Sequence, residues 1–389
     1  MRTALISLYR SYPATFGAAS VSYNLAKFMP GERYVLQLSD GEGEEKVVDD
    51  LTIISFRASQ SSRAAKLLSL ARLLPRIARR TRDLHPDAVV LEGASWTVYY
   101  VALLRLMRWA GLRTPVVYHG HNVEYLLRRE RSGRLVTGLT RWAERALLRS
   151  CDAAYAVSDI DAGRFCALYG IRPGVLPNGV DAERFAVATA EEATRARTRY
   201  GLTYPTALFM GGYPYLPNRE AIDALVQDIV PRVRRSGVPL SLAVIGGEVP
   251  YTRSWLRNPG VILDAELPAF LKACDVCVAP IFSGSGTRLK VLEYLAAGKP
   301  VVATPKAVEG LCLAGAGSVT LAENRARFAR CLAQVAKRES EVGVPGCEYR
   351  APELARYGWR ALAAAFGDDI ARVTRRANVQ SSVLREAAK

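Results

Sequence analysis

The chain has 389 residues, half of them apolar and 23% charged, with a net charge of +16. At ~150 residues per domain this suggests two or three domains with material for large cores, which excludes a disordered chain, a collagen or a small disulfide scaffold. No apolar run reaches the ~18 residues a membrane span needs; the longest, around Trp96–Leu104, meets Arg105 and Arg108.

The N-terminal MRTALISLYR is apolar too briefly for a secretory signal and reads as a first strand. Seven scattered cysteines, an odd number, fit a reduced, cytosolic chain. Cys274 and Cys277 form the only CxxC, inside an apolar run, and read as core packing. The charge is uneven: Arg57–Arg149 holds 18 Lys/Arg against 6 Asp/Glu. Such a field suits phosphates, nucleic acid or an anionic membrane.

In chain order, strands are expected at Thr3–Leu8, Arg33–Leu38 and Leu51–Phe56, with a helix at Ala18–Phe28. Ala64–Leu84 reads as a helix of leucines interleaved with basic residues, facing either the core or anionic lipid. Strands follow at Ala88–Glu92, Pro115–His119 and Ala153–Val157, and helices at Trp96–Trp109, Leu135–Ser150 and Ile160–Leu168. Strands such as DAVVLE are continuously apolar, the mark of a parallel sheet between helix layers.

The polar stretch Glu191–Arg199 reads as the approach to a second domain. Strands are expected again at Ala207–Met210, Leu242–Ile245, Val261–Leu263, Val276–Pro280 and Val301–Thr304. Helices are expected at Glu220–Arg235, Leu267–Ala273 and Leu289–Ala297, with a last helical stretch at Pro352–Arg375. The fold class is therefore α/β, with two doubly wound, Rossmann-like domains facing across a cleft. Their expected extents are 1–186 and 187–359, with a helix of about 360–380 returning to the first.

Ligands of open parallel sheets bind beyond the carboxyl ends of the strands. Gly17 lies in the small-residue loop after the first strand, and His119, His121, Asn122 and Glu124 follow the strand Pro115–Tyr118. Gly212 follows Ala207–Met210. The richest stretch is Gly284-Ser285-Gly286-Thr287-Arg288 with Lys290 and Glu293. A glycine loop opening a helix presents backbone N–H groups to phosphate, two cations add charge, and a carboxylate can take a ribose diol.

Together these segments resemble the GT-B glycosyltransferases, specifically family 4-like sugar transferases of polysaccharide biosynthesis. The resemblance rests on HNVE at His121–Glu124, Ser158, PNGVD at Pro177–Asp181, GGYPYLPN at Gly211–Asn218, CDVCVAP at Cys274–Pro280 and Gly284–Leu311. It implies a nucleotide-sugar donor, UDP- or GDP-linked, in the second domain and an acceptor against the first. It implies ribose binding by Glu293, diphosphate binding by Gly284–Thr287 with Lys290, a catalytic His121 facing the sugar, and retention of configuration. Where many relatives carry a second glutamate, Ser285 stands.

The expected protein is thus a metal-independent sugar transferase without a cofactor. Its acceptor is a saccharide or lipid-linked saccharide at the cytoplasmic membrane face, and nucleic acid is not an expected partner. A GT-B-fold UDP-sugar epimerase should carry more cleft carboxylates and histidines. A basic nucleic-acid binder would not need small-residue loops at strand ends in both halves, and a dehydrogenase would want G-x-G-x-x-G.

Overall fold

The computed structural model describes residues 1–41, 43–59, 61–93, 95–313, 317–342 and 352–387. Contacts divide the chain into two units, Met1–Asn178 with Trp359–Lys389, and Gly179–Gly358. The division falls at 178/179 instead of 186/187, because the short helix Ala182–Ala186 packs on helices of the second unit.

The first unit begins β1 (Arg2–Ser7), α1 (Gly17–Phe28), β2 (Glu32–Ser39), β3 (Glu45–Val48), β4 (Leu51–Arg57) and α2 (Arg63–Asp83). It continues β5 (Ala88–Glu92), α3 (Thr97–Trp109), β6 (Val116–Gly120), α4 (Glu124–Arg131) and α5 (Arg134–Ser150), then β7 (Ala153–Ala156), α6 (Asp159–Tyr169) and β8 (Gly174–Val175). The eight-stranded sheet has the order β3-β4-β2-β1-β5-β6-β7-β8. Every residue of β5 and β6 is buried, as a strand covered on both faces requires.

β3 was not foreseen. It pairs antiparallel with β4 through a two-residue turn at Asp49 and Asp50, whose φ angles are 48° and 59°. Two left-handed residues give the turn whose twist matches a hairpin, and Asp tolerates that region better than most residues. α4 was also missed, because its polar, Arg-rich sequence hides the periodicity of so short a helix.

α2 resolves its own ambiguity. Leu70, Leu73, Leu74, Ile77 and Ala78 are buried in the core, and the basic residues take the other face. Removal of such a side chain from water stabilises by ~1.5–3 kcal/mol.

The second unit begins α7 (Ala182–Ala186), α8 (Ala190–Arg199), β9 (Thr206–Met210), α9 (Leu216–Ala224) and α10 (Val230–Arg235). β10 (Ser241–Ile245), β11 (Leu256–Gly260), α11 (Leu267–Ala273), β12 (Val276–Ala279) and α12 (Leu289–Ala296) follow. β13 (Val301–Ala303), β14 (Val319–Leu321) and α13 (Arg325–Val342) complete it. The sheet order is β11-β10-β9-β12-β13-β14, parallel throughout.

Three expectations change here. Glu191–Arg199 is helical: Thr189 and Glu192 form a reciprocal cap that makes a polar segment a stable helix. The strand expected at Val261–Leu263 lies earlier, at β11, and Val261 and Leu263 are exposed. The expected Glu220–Arg235 helix starts at Leu216 and contains a widened π turn at Leu225–Ile229, just ahead of Pro231, which has no N–H to give the regular ladder.

The C-terminal α14 (Trp359–Ala387) belongs to the first unit. It lies against α1, and a Cβ on Gly367 would fall 2.7 Å from the Pro30 ring, so only glycine permits this approach. Tyr155 donates to Asp369 at 3.0 Å, and the Phe366 ring packs against His119.

Candidate functional sites

Strand order reverses direction between β1 and β5 in one sheet and between β9 and β12 in the other. Crevices for ligands open at such switch points, because the flanking helices diverge to opposite faces there. Each unit gathers its chemically equipped residues at its own switch point.

In the first unit, β5 ends on Glu92, and its neighbour β6 carries His119. Ionised Glu92 accepts from His119 Nδ1 at 3.2 Å and from His121 Nε2 at 2.9 Å. Ser22 of α1 donates to the same carboxylate at 3.0 Å across the switch point, and Tyr9 pairs with Ser22 at 2.7 Å. Tyr100 donates to the Glu92 carbonyl and anchors the strand end.

Burial alone would raise the Glu92 carboxyl, but the two imidazoles more than offset it and hold the group well below the usual carboxylate range. Burial pushes His121 below the usual histidine range, with Glu92 opposing and His119 adding to the fall. A neutral His121 therefore keeps its proton on Nε2, facing Glu92. Its Nδ1 is then a lone-pair acceptor, buried without a protein partner. His119 Nε2 and Asn122 Oδ1 are likewise buried without partners.

The two histidines share one carboxylate, with ring centroids 4.9 Å apart, so geometry groups what spacing could not separate. Glu124 has a different setting. Its side chain pairs with Arg128 at 2.7 Å, and its amide bonds to Glu144 of α5, which serves as the N-terminal anchor of α4. Gly17 is the exposed first residue of α1, and its N-cap Phe16 offers no capping side chain.

No metal cluster was expected from the sequence. The fold nevertheless brings one ligand atom each from Glu92, His119 and His121 within 4.8 Å of one another, a set able to hold a divalent ion. The hydrogen bonds from both rings and Ser22 also satisfy this carboxylate with no ion.

In the second unit the loop after β12 is tied by its own arginine. Arg288 donates to the carbonyls of Ser283, Ser285 and Gly286. Gly284 and Gly286 take φ of 93° and 77°, open to glycine without strain. Ser285 Oγ is buried with no partner. Ser283 donates to Glu220 of α9, and Thr304 to the Ile281 carbonyl.

Lys290, in the first turn of α12, donates to Asn218 Oδ1 at 2.8 Å and sits 4.1 Å from the Phe209 ring centroid. Asn218 of α9 in turn donates to the Gly212 carbonyl. This chain crosses the β9/β12 switch point as Ser22–Glu92 crosses the other. A Cβ on Gly212 would lie 3.0 Å from the Gly246 carbonyl, and one on Gly211 would lie 2.5 Å from Asn218, so both loops need glycine to meet.

Burial lowers Lys290 to about 7, with Arg288 adding to the fall and Glu293 opposing. Burial raises Glu293, while Arg184 and Lys290 oppose the rise. Glu293 lies one turn beyond Lys290 on the same side of α12, and Arg184 of α7 is itself paired with Asp264 at 3.1 Å. Cys274 and Cys277 are wholly buried, and burial pushes the Cys274 thiol up to about 12, as for an inert core residue.

Sequence reading missed Glu92, Ser22 and Asn218. Glu92 left a trace: a carboxylate closing an otherwise apolar buried strand. Ser22 and Asn218 left none, since their roles come from contacts across the sheet.

Residues 17–184 match the family model described as Glycosyltransferase Family 4, and residues 204–338 match Glycosyl transferases group 1. A phosphatidyl-myo-inositol mannosyltransferase of Propionibacterium freudenreichii subsp. shermanii is 30% identical over 166 residues, 42% of this chain and 42% of that relative. The Mycobacterium tuberculosis protein of the same name is 28% identical over 157 residues, 38% of this chain and 39% of its own length. The chain thus aligns with about two fifths of these relatives.

Among solved structures, sucrose-phosphate synthase from Thermosynechococcus elongatus superposes with a TM-score of 0.74 at 14% identity, covering 96% of this chain and 99% of that one. The Anabaena protein HepE, in complex with UDP and glucose, gives 0.71 at 15%, covering 95% and 99%. With both sheets wound as in these folds and both halves matched in order, the chain belongs to the GT-B glycosyltransferases.

Proposed function

We propose that the protein transfers a hexose from a nucleotide-diphosphate sugar, UDP- or GDP-linked, to a saccharide or lipid-linked acceptor, with retention and without a divalent metal. The observation that carries this reading is the β9/β12 switch point, where a glycine loop, Lys290 and Glu293 stand together. A glycine loop at a helix start suits a diphosphate, and Lys290 supplies its charge. Glu293 suits the ribose diol. The mannosyltransferase relatives support a hexosyl donor and a lipid-borne acceptor, and the Anabaena complex supports UDP.

In this reading His121 acts on the transferred sugar. Its free Nδ1 accepts from a sugar hydroxyl, which orients the ring for departure of the diphosphate. Glu92 is a positioning residue: it fixes the tautomer that leaves Nδ1 open. Asn122 offers a second acceptor beside it. Charge that develops on the diphosphate meets Lys290 and the amides of Gly284–Thr287, so no metal is required.

A thermal-shift screen of UDP-, GDP-, ADP- and TDP-sugars tests the donor. Saturation at 100 times the dissociation constant should add ~2.7 kcal/mol of stability. Stabilisation by none of them overturns the reading. Transfer should persist in excess EDTA, and NMR of the product should show the donor's anomeric configuration. Loss of activity in EDTA with recovery in manganese would instead assign an ion, with Glu92, His119 and His121 as its candidate ligands.

A further inference from the structure

α5 presents two faces, and only one is accounted for by the core. Thr140, Ala143, Leu147 and Leu148 are buried. Leu135, Leu139 and Trp142, at i, i+4 and i+7, form a stripe on the outer side, exposed to 86%, 49% and 49%. Trp109, the last residue of α3, is 88% exposed. α3 packs along α5, and Arg105, one turn before Trp109, lies 6.0 Å from the Trp142 ring centroid. The two tryptophans therefore belong to one patch.

On α3 and α5 themselves the exposed charge has a single sign. Arg134, Arg141, Arg145 and Arg149 are exposed on α5. The sequences of α3 and α5 contain one acidic residue, Glu144, which is buried. Leucine and tryptophan on one stripe with arginine beside it is the composition of a helix lying in a lipid interface, where indole rings settle at headgroup depth and arginine meets lipid phosphate.

We propose that the α3/α5 face docks the protein on an anionic lipid surface, with Trp109, Leu135, Leu139 and Trp142 entering the headgroup layer. A second copy of the chain fits less well, because a symmetric interface would set arginine against arginine with no exposed carboxylate on either helix to pair them. Nucleic acid would take the charge but leave Leu135 and both indoles without an apolar partner. α2 offers arginines but little to insert, since Leu70, Leu73 and Leu74 are buried in the core and Leu68 is its one exposed leucine. The binding needs no sugar donor, so it stands or falls separately from the proposed transfer.

Co-sedimentation of the full chain with phosphatidylcholine vesicles, with and without phosphatidylglycerol, is the test. Binding should require the anionic lipid and weaken with added salt. Trp109→Ser with Trp142→Ser should raise the lipid needed for half-binding by at least about tenfold, from lost interfacial burial. Arg134→Ala with Arg141→Ala, both exposed and outside the core, should do the same without altering the melting temperature. Arg72→Ala with Arg76→Ala on α2 should have a clearly smaller effect. Equal binding to neutral and anionic vesicles overturns the proposal, as does unchanged binding in both patch variants. A solution dimer that the tryptophan variant dissociates also overturns it, in favour of a second copy.

Discussion

The two units solve one topological problem with opposite chemistry. Each bridges its switch point by hydrogen bonds between a helix on one side and the strand end or helix on the other. In the first unit the bridge is a buried carboxylate shared by two imidazoles and a serine. Its carboxylate is satisfied internally by hydrogen bonds, and His119 Nε2 and His121 Nδ1 stand beside it buried without a protein partner. In the second unit the bridge is a half-buried lysine on an asparagine, beside a loop shaped by glycine. Its charge is not neutralised by the bridge, so it can still attract an anion. The first arrangement suits orienting a neutral group during reaction; the second suits binding.

That division predicts which property each substitution damages. The largest effect is expected at His121. His121→Ala should cut turnover by ~10²–10³, comparable to losing one preorganised polar contact in a transition state. Nucleotide affinity should barely change. His119→Ala should cost much less activity and instead lower the melting temperature, since its ring is buried against Phe366. Kinetics and melts of both variants decide the matter. Near-normal turnover in His121→Ala, with folded but dead His119→Ala, would reverse the two roles.

Glu293→Ala should damage binding instead. Its nucleotide affinity should fall by ~1.5–3 kcal/mol, the range for a hydrogen bond to a charged group. Titration calorimetry with the free nucleotide diphosphate reads this directly. Equal affinity in wild type and variant removes Glu293 from the ribose.

The same contrast explains what the sequence could reveal. Apolar runs such as DAVVLE announce the buried strands, and the alternation announces the parallel sheets, because burial on both faces is a property of local composition. The glycine loop was legible because a special backbone shape demands special residues next to one another. Glu92 and Ser22 are 70 positions apart, and Lys290 and Asn218 are 72 apart. No local pattern can disclose such pairs; only the strand order brings them together. The exposed stripe of α5 was hidden for a related reason. Its leucines look like those of α2, and only the packing shows which set the core takes.

A smaller and more specific effect concerns pH. Lys290 has its charged form disfavoured, at about 7, in the free protein. A bound diphosphate favours the charged form and raises that value, so binding above pH 7 must take up a proton. Affinity should therefore be flat below about pH 7, as far as this group is concerned. Above it, affinity should fall ~tenfold per pH unit until the bound-state value is reached. The sign for stability is opposite: the depressed lysine costs the free fold in full below about pH 7, and that cost is relieved as pH rises from there toward the ordinary lysine value. Lys290→Arg stays charged throughout and should flatten the binding profile. A wild-type profile already flat from pH 6 to pH 9 would detach Lys290 from the diphosphate.

The smallest effect is expected at Ser285, and it separates a ligand contact from mere packing. Its hydroxyl is buried and has no protein partner, a condition that costs stability unless something else completes the bond. Removing it should leave the free protein no less stable, because no existing hydrogen bond is lost. If the donor completes the bond, Ser285→Ala should weaken nucleotide-sugar binding by ~0.5–1.5 kcal/mol, the net value of one neutral hydrogen bond. The pairing of outcomes is the discriminating feature: unchanged melting of the free protein together with a smaller ligand-induced shift. Thermal shift with and without saturating donor measures both in one series. A variant that melts lower when free would mean that the hydroxyl serves the loop itself. An unchanged shift with donor would place the sugar diphosphate away from Ser285, leaving Gly284, Gly286 and Thr287 to hold it by their backbone alone.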